Sequence, residues 1–187
     1  MEINFVLGDL ALTGGNRAVF NIAEELRERG HEVKLIFPTI PTGYFYHDRR
    51  SWLNPRKVLG ATRRFNSYSD GDWFDFNVNV KKVPYLNHRS RFLQKFVPDA
   101  DVTVATNWIT AYIVDALNES KGEKFYFVQH YEFWRIWNEE KYWEKAKEKG
   151  DPKLEMVNLE LEDEEDSRLK NMVDKTYSLD LKKIVNS

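Results

Sequence analysis

The sequence contains no cysteine, which excludes disulfide bonds, thiolate catalysis and zinc sites with sulfur ligands. No stretch approaches the roughly 18 consecutive apolar residues of a membrane-spanning helix. The first residues, MEINFVLGDL, also lack the basic and apolar regions of a secretory signal. Together these absences predict an intracellular globular protein located in the cytoplasm.

An excess of charge of either sign is also missing. The 28 Lys and Arg residues nearly balance the 30 Asp and Glu residues, and the net charge is -2. No global field would gather nucleic acid, so nucleic acid is not an expected partner. The four histidines are dispersed without metal-ligand spacing, and no metal is expected. The 187 residues are 42% hydrophobic, which is enough for one domain with its own core.

Apolar runs alternate with helical patterns from the start of the chain. The run at residues 3–7 leads through a glycine-bearing loop into a segment with one apolar helical face, formed by Val19, Ile22, Ala23 and Leu26. Asn16 is predicted to be the N-cap of this helix and Gly30 to end it. A second apolar run closes at Pro38 and completes a βαβ unit.

The same alternation continues to the end of the chain. Further strands are predicted at 76–83, 102–105, 124–129 and 182–186, and helices at 89–96, 108–118, 131–149 and 153–175. The fold class is therefore α/β: a single domain with a Rossmann-like open, mostly parallel sheet and helices on both faces. Residues 39–72 are predicted to form an irregular insertion with one helix near 55–65. A final strand in such a fold usually leads into another helix, so we expect a fragment of a longer protein.

A candidate anion site lies where the first loop meets the first helix. Gly14 and Gly15 would let the backbone approach a ligand, and the free amides around Asn16 favour phosphate or carboxylate. The loop lacks both the GxGxxG pattern of dinucleotide-binding domains and the GK[ST] of nucleotide hydrolases. The alternative interpretation is a tight turn in which glycine is needed only for a positive φ.

The order of four segments indicates a family. GGNRAVFNIAEELRERGHEV resembles the opening of the N-terminal domain in family 4 glycosyltransferases of the GT-B fold. VPDADVTVATNWITAYIV is similar to the family's fourth-strand region, KFYFVQHYEFW to the strand and loop that follow, and KKIVNS to the strand before the hinge. The resemblance covers nearly the whole chain, but residues 39–72 and 135–175 carry no signature. It implies that residues 1–187 form the acceptor-side domain and lack a C-terminal domain that binds most of the donor.

The resemblance implies transfer of a hexose from a nucleotide-sugar donor to a glycan or lipid-linked acceptor. Retention at the anomeric carbon and no obligatory metal are implied as well, and the nucleotide sugar is a substrate rather than a cofactor. Gly14 and Gly15 would touch the donor phosphate or the acceptor, where amides stabilise the leaving diphosphate. His130 matches a position near the transferred sugar and is the candidate catalytic residue, with Glu132 to orient it or to bind a sugar hydroxyl. Alternatively, His130 only satisfies a backbone carbonyl at a strand end. The isolated domain is expected to be inactive.

Polar and aromatic residues follow the predicted strand at 102–105. Thr106 and Asn107 lie at its carboxyl end, where parallel sheets bind ligands, and the Asn107 amide can pair with sugar hydroxyls. Trp108 offers a ring face to a sugar. The structural alternative is that Asn107 caps the following helix and Trp108 belongs to the core.

Arginines alternate with aromatic residues in the predicted insertion. One interpretation is that Arg49, Arg50, Arg63 and Arg64 grip an anionic acceptor such as a lipid diphosphate, or rest on an acidic membrane surface. The second case would make the cytoplasmic protein peripheral at the membrane. The alternative is an ordinary solvated loop.

A second function class stays open from the residues alone. The chain can be a non-catalytic nucleotide-binding or protein-binding α/β module that uses the same helix N-terminus. An oxidoreductase domain is disfavoured, because the dinucleotide fingerprint and a clear acidic residue after the second strand are both missing.

Overall fold

The computed structural model describes residues 1–8, 13–38, 55–56, 59–60, 63, 77–83, 91–132, 140–150, 161 and 163–185. The chain divides into two compact units. One unit is formed by Met1–Gln129 together with Leu179–Ser187, and the other by His130–Ser178. Each unit is described here by itself.

The first unit contains a six-stranded sheet in which every neighbouring pair of strands is parallel. The strands are β1 (Glu2–Val6), β2 (Glu32–Pro38), β3 (Asn79–Val83), β4 (Val102–Ala105), β5 (Glu123–Val128) and β6 (Lys182–Val185). Their order across the sheet is β3-β2-β1-β4-β5-β6. The predicted fold class, a Rossmann-like α/β open sheet, is confirmed.

Helices connect the parallel strands. Helix α1 (Gly14–Glu28) joins β1 to β2 and packs against β2, while α2 (Trp108–Asp115) lies between β4 and β5 and packs against both. Two 3-10 helices, Arg91–Phe96 and Glu119–Lys121, precede β4 and β5 respectively. The α1 and α2 connections run in opposite directions across the sheet, and parallel crossovers are right-handed. The two helices therefore cover opposite faces.

Burial of alternate strand residues agrees with this arrangement. The core on the α1 side contains Ile3, Phe5, Leu7, Val19, Phe20, Ala23, Val33, Leu35, Phe37, Val78, Val104 and Phe127. Because successive side chains in a strand point to opposite faces, Val6, Ala105 and Tyr126 face the other side, and they are also buried. The central strands are thus buried on both faces, as is typical of parallel sheets, although the face opposite α1 also contains the buried polar residues Asn4 and Thr103.

Two glycines end helical segments of this unit in left-handed conformations. Gly30, with a φ of 87°, follows α1, and its amide donates to the Arg27 carbonyl while the His31 amide donates to the Leu26 carbonyl. This bond pair is the Schellman motif, so the prediction that Gly30 ends the helix is confirmed. Gly122, with a φ of 75°, ends the 3-10 helix Glu119–Lys121 rather than α2, which already ends at Asp115.

The second unit contains helices α3 (Glu140–Lys149) and α4 (Glu164–Thr176). The buried hydroxyl of Tyr142 on α3 donates to the buried Asp166 carboxylate on α4 over 2.9 Å. Asp163 caps α4, because its side chain accepts from the Asp166 amide. A helix-to-helix hydrogen bond of this kind fixes the pairing of α3 with α4.

The predicted element types agree with the described part of the chain, and the bounds differ at several ends. The helix predicted at 131–149 begins at Glu140, and the one at 153–175 begins at Glu164. Residues 133–139, 151–160 and 162 lie outside the described residues. Most of the predicted insertion at 39–72 also lies outside them, and its described positions 55–56, 59–60 and 63 are helical. The helix predicted at 89–96 is a 3-10 helix over Arg91–Phe96.

Candidate functional site

The strand order creates one topological switch point, between β1 and β4. From this point the chain turns toward β2 by way of α1 and toward β5 by way of α2. Connections that diverge to opposite faces leave a crevice outside the carboxyl ends of the two strands, and open α/β sheets bind ligands there. In this chain the switch point lies where β1 ends at Val6 and β4 ends at Ala105.

Helix α1 begins earlier than predicted. Its N-cap is Thr13, whose hydroxyl accepts from the Asn16 amide over 3.1 Å, so the predicted N-cap Asn16 lies inside the first turn. Gly14 and Gly15 precede it in the same turn and have helical backbones, because the positive-φ glycines of the described chain are Gly30, Gly122 and Gly150. The alternative of a tight turn with positive φ is therefore wrong for Gly14 and Gly15.

The first turn of α1 carries a net positive field. Backbone amides at a helix start lack intrahelical acceptors and act together as a partial positive charge. No acidic residue lies in this turn, and Arg17, which follows it directly, is exposed. Within the described chain, the amides of Gly14 and Gly15 donate no hydrogen bond, whereas the Asn16 amide is taken by Thr13. The turn is therefore suited to a negatively charged group.

A side chain at residue 15 would require the Gln129 carboxamide to shift. A Cβ atom at Gly15 would lie 2.7 Å from the Gln129 Oε1, whereas a Cβ at Gly14 would meet nothing within 4 Å. The Nε2 of Gln129 donates to the Thr106 carbonyl over 3.4 Å. Gln129 thus extends from the end of β5 past the end of β4 to the start of α1.

Thr106 ties the ends of the two central strands together. Its buried hydroxyl donates to the Val6 carbonyl over 2.9 Å, and its amide donates to the Thr110 hydroxyl over 3.0 Å. The predicted site residue Thr106 therefore lies at the switch point with its hydroxyl already engaged by the protein.

Asn107 is the N-cap of α2. Its Oδ1 accepts from the Thr110 amide over 2.9 Å, and the Thr110 hydroxyl accepts from the Asn107 amide, which completes a capping box. Trp108 is 6% exposed and belongs to the core. The structural alternative for Asn107 and Trp108 is confirmed. Within the described residues, the Asn107 side-chain NH2 donates no hydrogen bond.

His130 and Glu132 belong to the His130–Ser178 unit, whereas Gly15, Thr106 and Gln129 belong to the unit of the sheet. His130 is exposed as a whole residue, but its imidazole is partly shielded from solvent. This desolvation lowers the pKa of the imidazole and favours its neutral form near pH 7. Glu132 is buried at 7% exposure. The structure therefore brings together the glycine turn and Thr106, and it describes His130 and Glu132 in a separate unit.

Tyr131 lies between these two residues and is fixed within the second unit. Its hydroxyl donates to the Asp174 Oδ1 over 2.8 Å, and its ring stacks on that of Tyr177 with centroids 6.3 Å apart. Burial, followed by the Asp174 carboxylate, raises the pKa of the Tyr131 phenol far above its usual value. Lys170 donates to the other Asp174 oxygen over 2.8 Å. Tyr131 therefore stays protonated and holds the segment after β5 to α4.

The basic residues of the predicted insertion are described only in part. Arg63 is helical and exposed, whereas Arg49, Arg50 and Arg64 lie outside the described residues. No described helix combines the length and apolar character that a membrane span requires. In the same parts of the chain, no three His, Asp or Glu side chains come together as a set of metal ligands.

Sequence reasoning missed Gln129 as a residue of the candidate site. Its position directly after β5, on the same sheet edge as Thr106, was the available signal.

A scan against protein-family models, a search of curated proteins and a search of solved structures each gave no match to this chain.

Proposed function

We propose that this chain is the N-terminal, acceptor-side domain of a retaining glycosyltransferase that moves a hexose from a nucleotide sugar to a glycan or lipid-linked acceptor. The observation that carries the proposal is the first turn of α1 beside the β1–β4 switch point, where Gly14 is exposed, no acidic residue is present, and two glycine amides donate no hydrogen bond within the described chain. The four segments that resemble family 4 glycosyltransferases give that turn its expected task.

The proposed chemistry uses the turn as an electrostatic stabiliser. When the sugar leaves its nucleotide, negative charge grows on the diphosphate. The amides of Gly14 and Gly15 would donate to it, and the exposed Arg17 adds positive potential. Such groups are fixed before the reaction, so they favour the transition state without reorganisation. Gly14 leaves the turn open to approach, since even a Cβ there would meet no neighbour.

His130 is proposed to act at the transferred sugar, as the family resemblance implies. The lowered pKa keeps its imidazole neutral near pH 7, where it can accept a hydrogen bond from a hydroxyl or donate one to it. Glu132 would hold the imidazole or bind a hydroxyl. In the proposed enzyme, a C-terminal domain supplies the remaining contacts to the nucleotide, so this chain alone binds the donor weakly and is inactive.

The test uses the natural protein that contains this chain and a panel of nucleoside diphosphate sugars with glycan and lipid-diphosphate acceptors. We expect transfer with retention, read by NMR from the anomeric configuration of the product, and a sharp loss of turnover in Gly15→Leu. Absence of transfer for every donor and acceptor would remove the proposal.

A non-catalytic binding module is the second candidate. It needs only the first turn of α1 as an anion site and no sugar contacts from the Thr106 hydroxyl or the Asn107 Oδ1, both of which are engaged by the protein itself. This candidate predicts saturable nucleotide binding without transfer, and the same donor panel measured by calorimetry distinguishes the two.

A further inference from the structure

Thr106, Asn107 and Gln129 follow the carboxyl ends of β4 and β5, and their side chains differ in how much hydrogen-bonding capacity they retain. The Thr106 hydroxyl donates to Val6 over 2.9 Å and is buried, and the Asn107 Oδ1 accepts the capping bond over 2.9 Å. Gln129 makes one long bond, 3.4 Å from its Nε2 to the Thr106 carbonyl. A bond of that length lies at the outer limit for an N–H donor, so little free energy is lost when a shorter bond to a ligand replaces it.

The other end of the Gln129 carboxamide is still available. Within the described chain, its Oε1 accepts no hydrogen bond and lies beside Gly15, where a Cβ would come within 2.7 Å of it. The side chain is half-buried, so a ligand can reach it. A carboxamide has two donors and an acceptor, and a hydroxyl both donates and accepts.

We propose that Gln129 is a specificity-determining residue of this site, and that its carboxamide hydrogen-bonds one hydroxyl group of a bound hexose. The Oε1 accepts from the hydroxyl while the Nε2 exchanges its long bond to Thr106 for one to the sugar. Gly15 makes this possible because it leaves room for the carboxamide beside α1. The inference rests on the proposed function, since that function supplies the sugar.

The direct test is a titration of the 15N-labelled natural protein that contains this chain with methyl α-D-glucopyranoside and methyl α-D-mannopyranoside, followed by each of their monodeoxy analogues. The Gln129 side-chain NH2 signal is assigned as the one lost in Gln129→Ala. We expect this signal to shift saturably with at least one glycoside and to stay in place with the analogue that lacks the contacted hydroxyl. No shift with either glycoside would overturn the inference.

The affinity of the variant separates a contact from a supporting role. Gln129→Ala should weaken binding of the fully hydroxylated glycoside about tenfold, as expected for one lost hydrogen bond, and leave binding of the matching deoxy analogue unchanged. A residue that only supports the fold would weaken both sugars equally. Equal weakening, or no weakening at all, would overturn the inference.

Two glycine variants test the proposed placement of the carboxamide. Gly15→Ala puts a methyl group 2.7 Å from the Gln129 Oε1, so the carboxamide must shift and its free-state NH2 signal should move, whereas Gly14→Ala meets nothing within 4 Å and should leave that signal in place. Equal effects of the two substitutions on the signal would contradict the placement.

These outcomes are distinct from a failure of the proposed function. Hydroxyl-dependent binding at Gln129 without transfer by the natural protein would remove the transferase assignment and keep the sugar contact. If Gln129→Ala leaves transfer unchanged for every donor and acceptor and the NH2 signal does not shift, the transferase assignment is kept and the sugar contact of Gln129 is removed.

Discussion

The hydroxyl of Thr106 donates a hydrogen bond to the carbonyl of Val6 over 2.9 Å, and this bond joins the ends of β4 and β1 at the switch point of the sheet. The two residues are 100 positions apart in the chain, and both are buried. The crevice opens beyond these strand ends, so the bond holds its floor in place.

Removing this hydroxyl should destabilise the sheet. We expect Thr106→Val to lower the free energy of unfolding by about 1–3 kcal/mol, because the buried Val6 carbonyl loses its donor while the shape of the side chain is kept. Urea denaturation measures the change. Thr106→Ser retains the hydroxyl and is the matched control, so a comparable loss in both variants would point to packing instead.

Gly122 and Gly30 should respond differently to the same substitution. Both have positive φ, but a Cβ at Gly122 would lie 2.2 Å from the Asp101 carbonyl oxygen, whereas one at Gly30 would meet nothing within 4 Å. Gly30→Ala should lower the free energy of unfolding by about 1–2 kcal/mol, because alanine only has to adopt the left-handed backbone. Gly122→Ala adds a clash with backbone and should cost more than about 3 kcal/mol. Thermal unfolding of the two variants ranks them, and similar losses would contradict the close approach of Asp101.

The lowered pKa of His130 makes stability depend on pH in a defined direction. Its ordinary value is 6.5, and burial lowers the pKa in the folded chain. The unfolded chain therefore takes up the proton first, so stability falls as the pH drops through 6.5 toward the folded-state pKa and is unaffected by this group at higher pH. His130→Gln should lack this part of the pH slope. An NMR midpoint for the His130 ring at or above the ordinary value would refute the prediction.

The alternation of apolar runs was enough to predict the parallel sheet, and α1 shows where the prediction reached its limit. The proposed stripe included Ile22, which is 36% exposed, and omitted Phe20, which is buried at 1%. The buried face is rotated toward Phe20 because the helix must cover the whole α1-side core. The N-cap was missed because Thr13 and Asn16 are both good capping residues, and glycines are poor helix formers that suggested a later start.

Only the part of the candidate site that follows directly from the positions of strand ends could be predicted from the sequence. Thr106 and Asn107 were placed correctly because they follow an apolar run directly, and position after a strand is a local property. The approach of Gln129 to Gly15 joins residues separated by more than a hundred positions, and no local pattern encodes such a contact. The sequence likewise places His130 next to Gln129, yet these neighbours belong to different compact units.

In the first turn of α1, a substitution that stabilises the helix is expected to weaken ligand binding. A negative charge in the first turn stabilises a helix by interacting with its dipole, and this turn has none. Asn16→Asp would therefore raise the free energy of unfolding by about 0.3–1 kcal/mol at low ionic strength. The same carboxylate would repel the diphosphate of a nucleotide sugar, so the proposed function predicts weaker donor binding from a more stable protein.

If Asn16→Asp raises the free energy of unfolding but weakens donor binding, the turn is a ligand site. If it raises stability and leaves binding unchanged, the turn is only a helix end without an optimal charge. Asn118→Asp is the control, because it adds the same charge before the Glu119–Lys121 turn at the amino ends of the strands, away from the crevice. Denaturation and donor titration of both variants in the natural protein are compared at low salt, where surface charges are least screened. Weaker donor binding in Asn16→Asp alone supports phosphate contact with α1. Equal binding by both variants would show that the diphosphate binds elsewhere, because a carboxylate within one helical turn of bound phosphate cannot be neutral in effect.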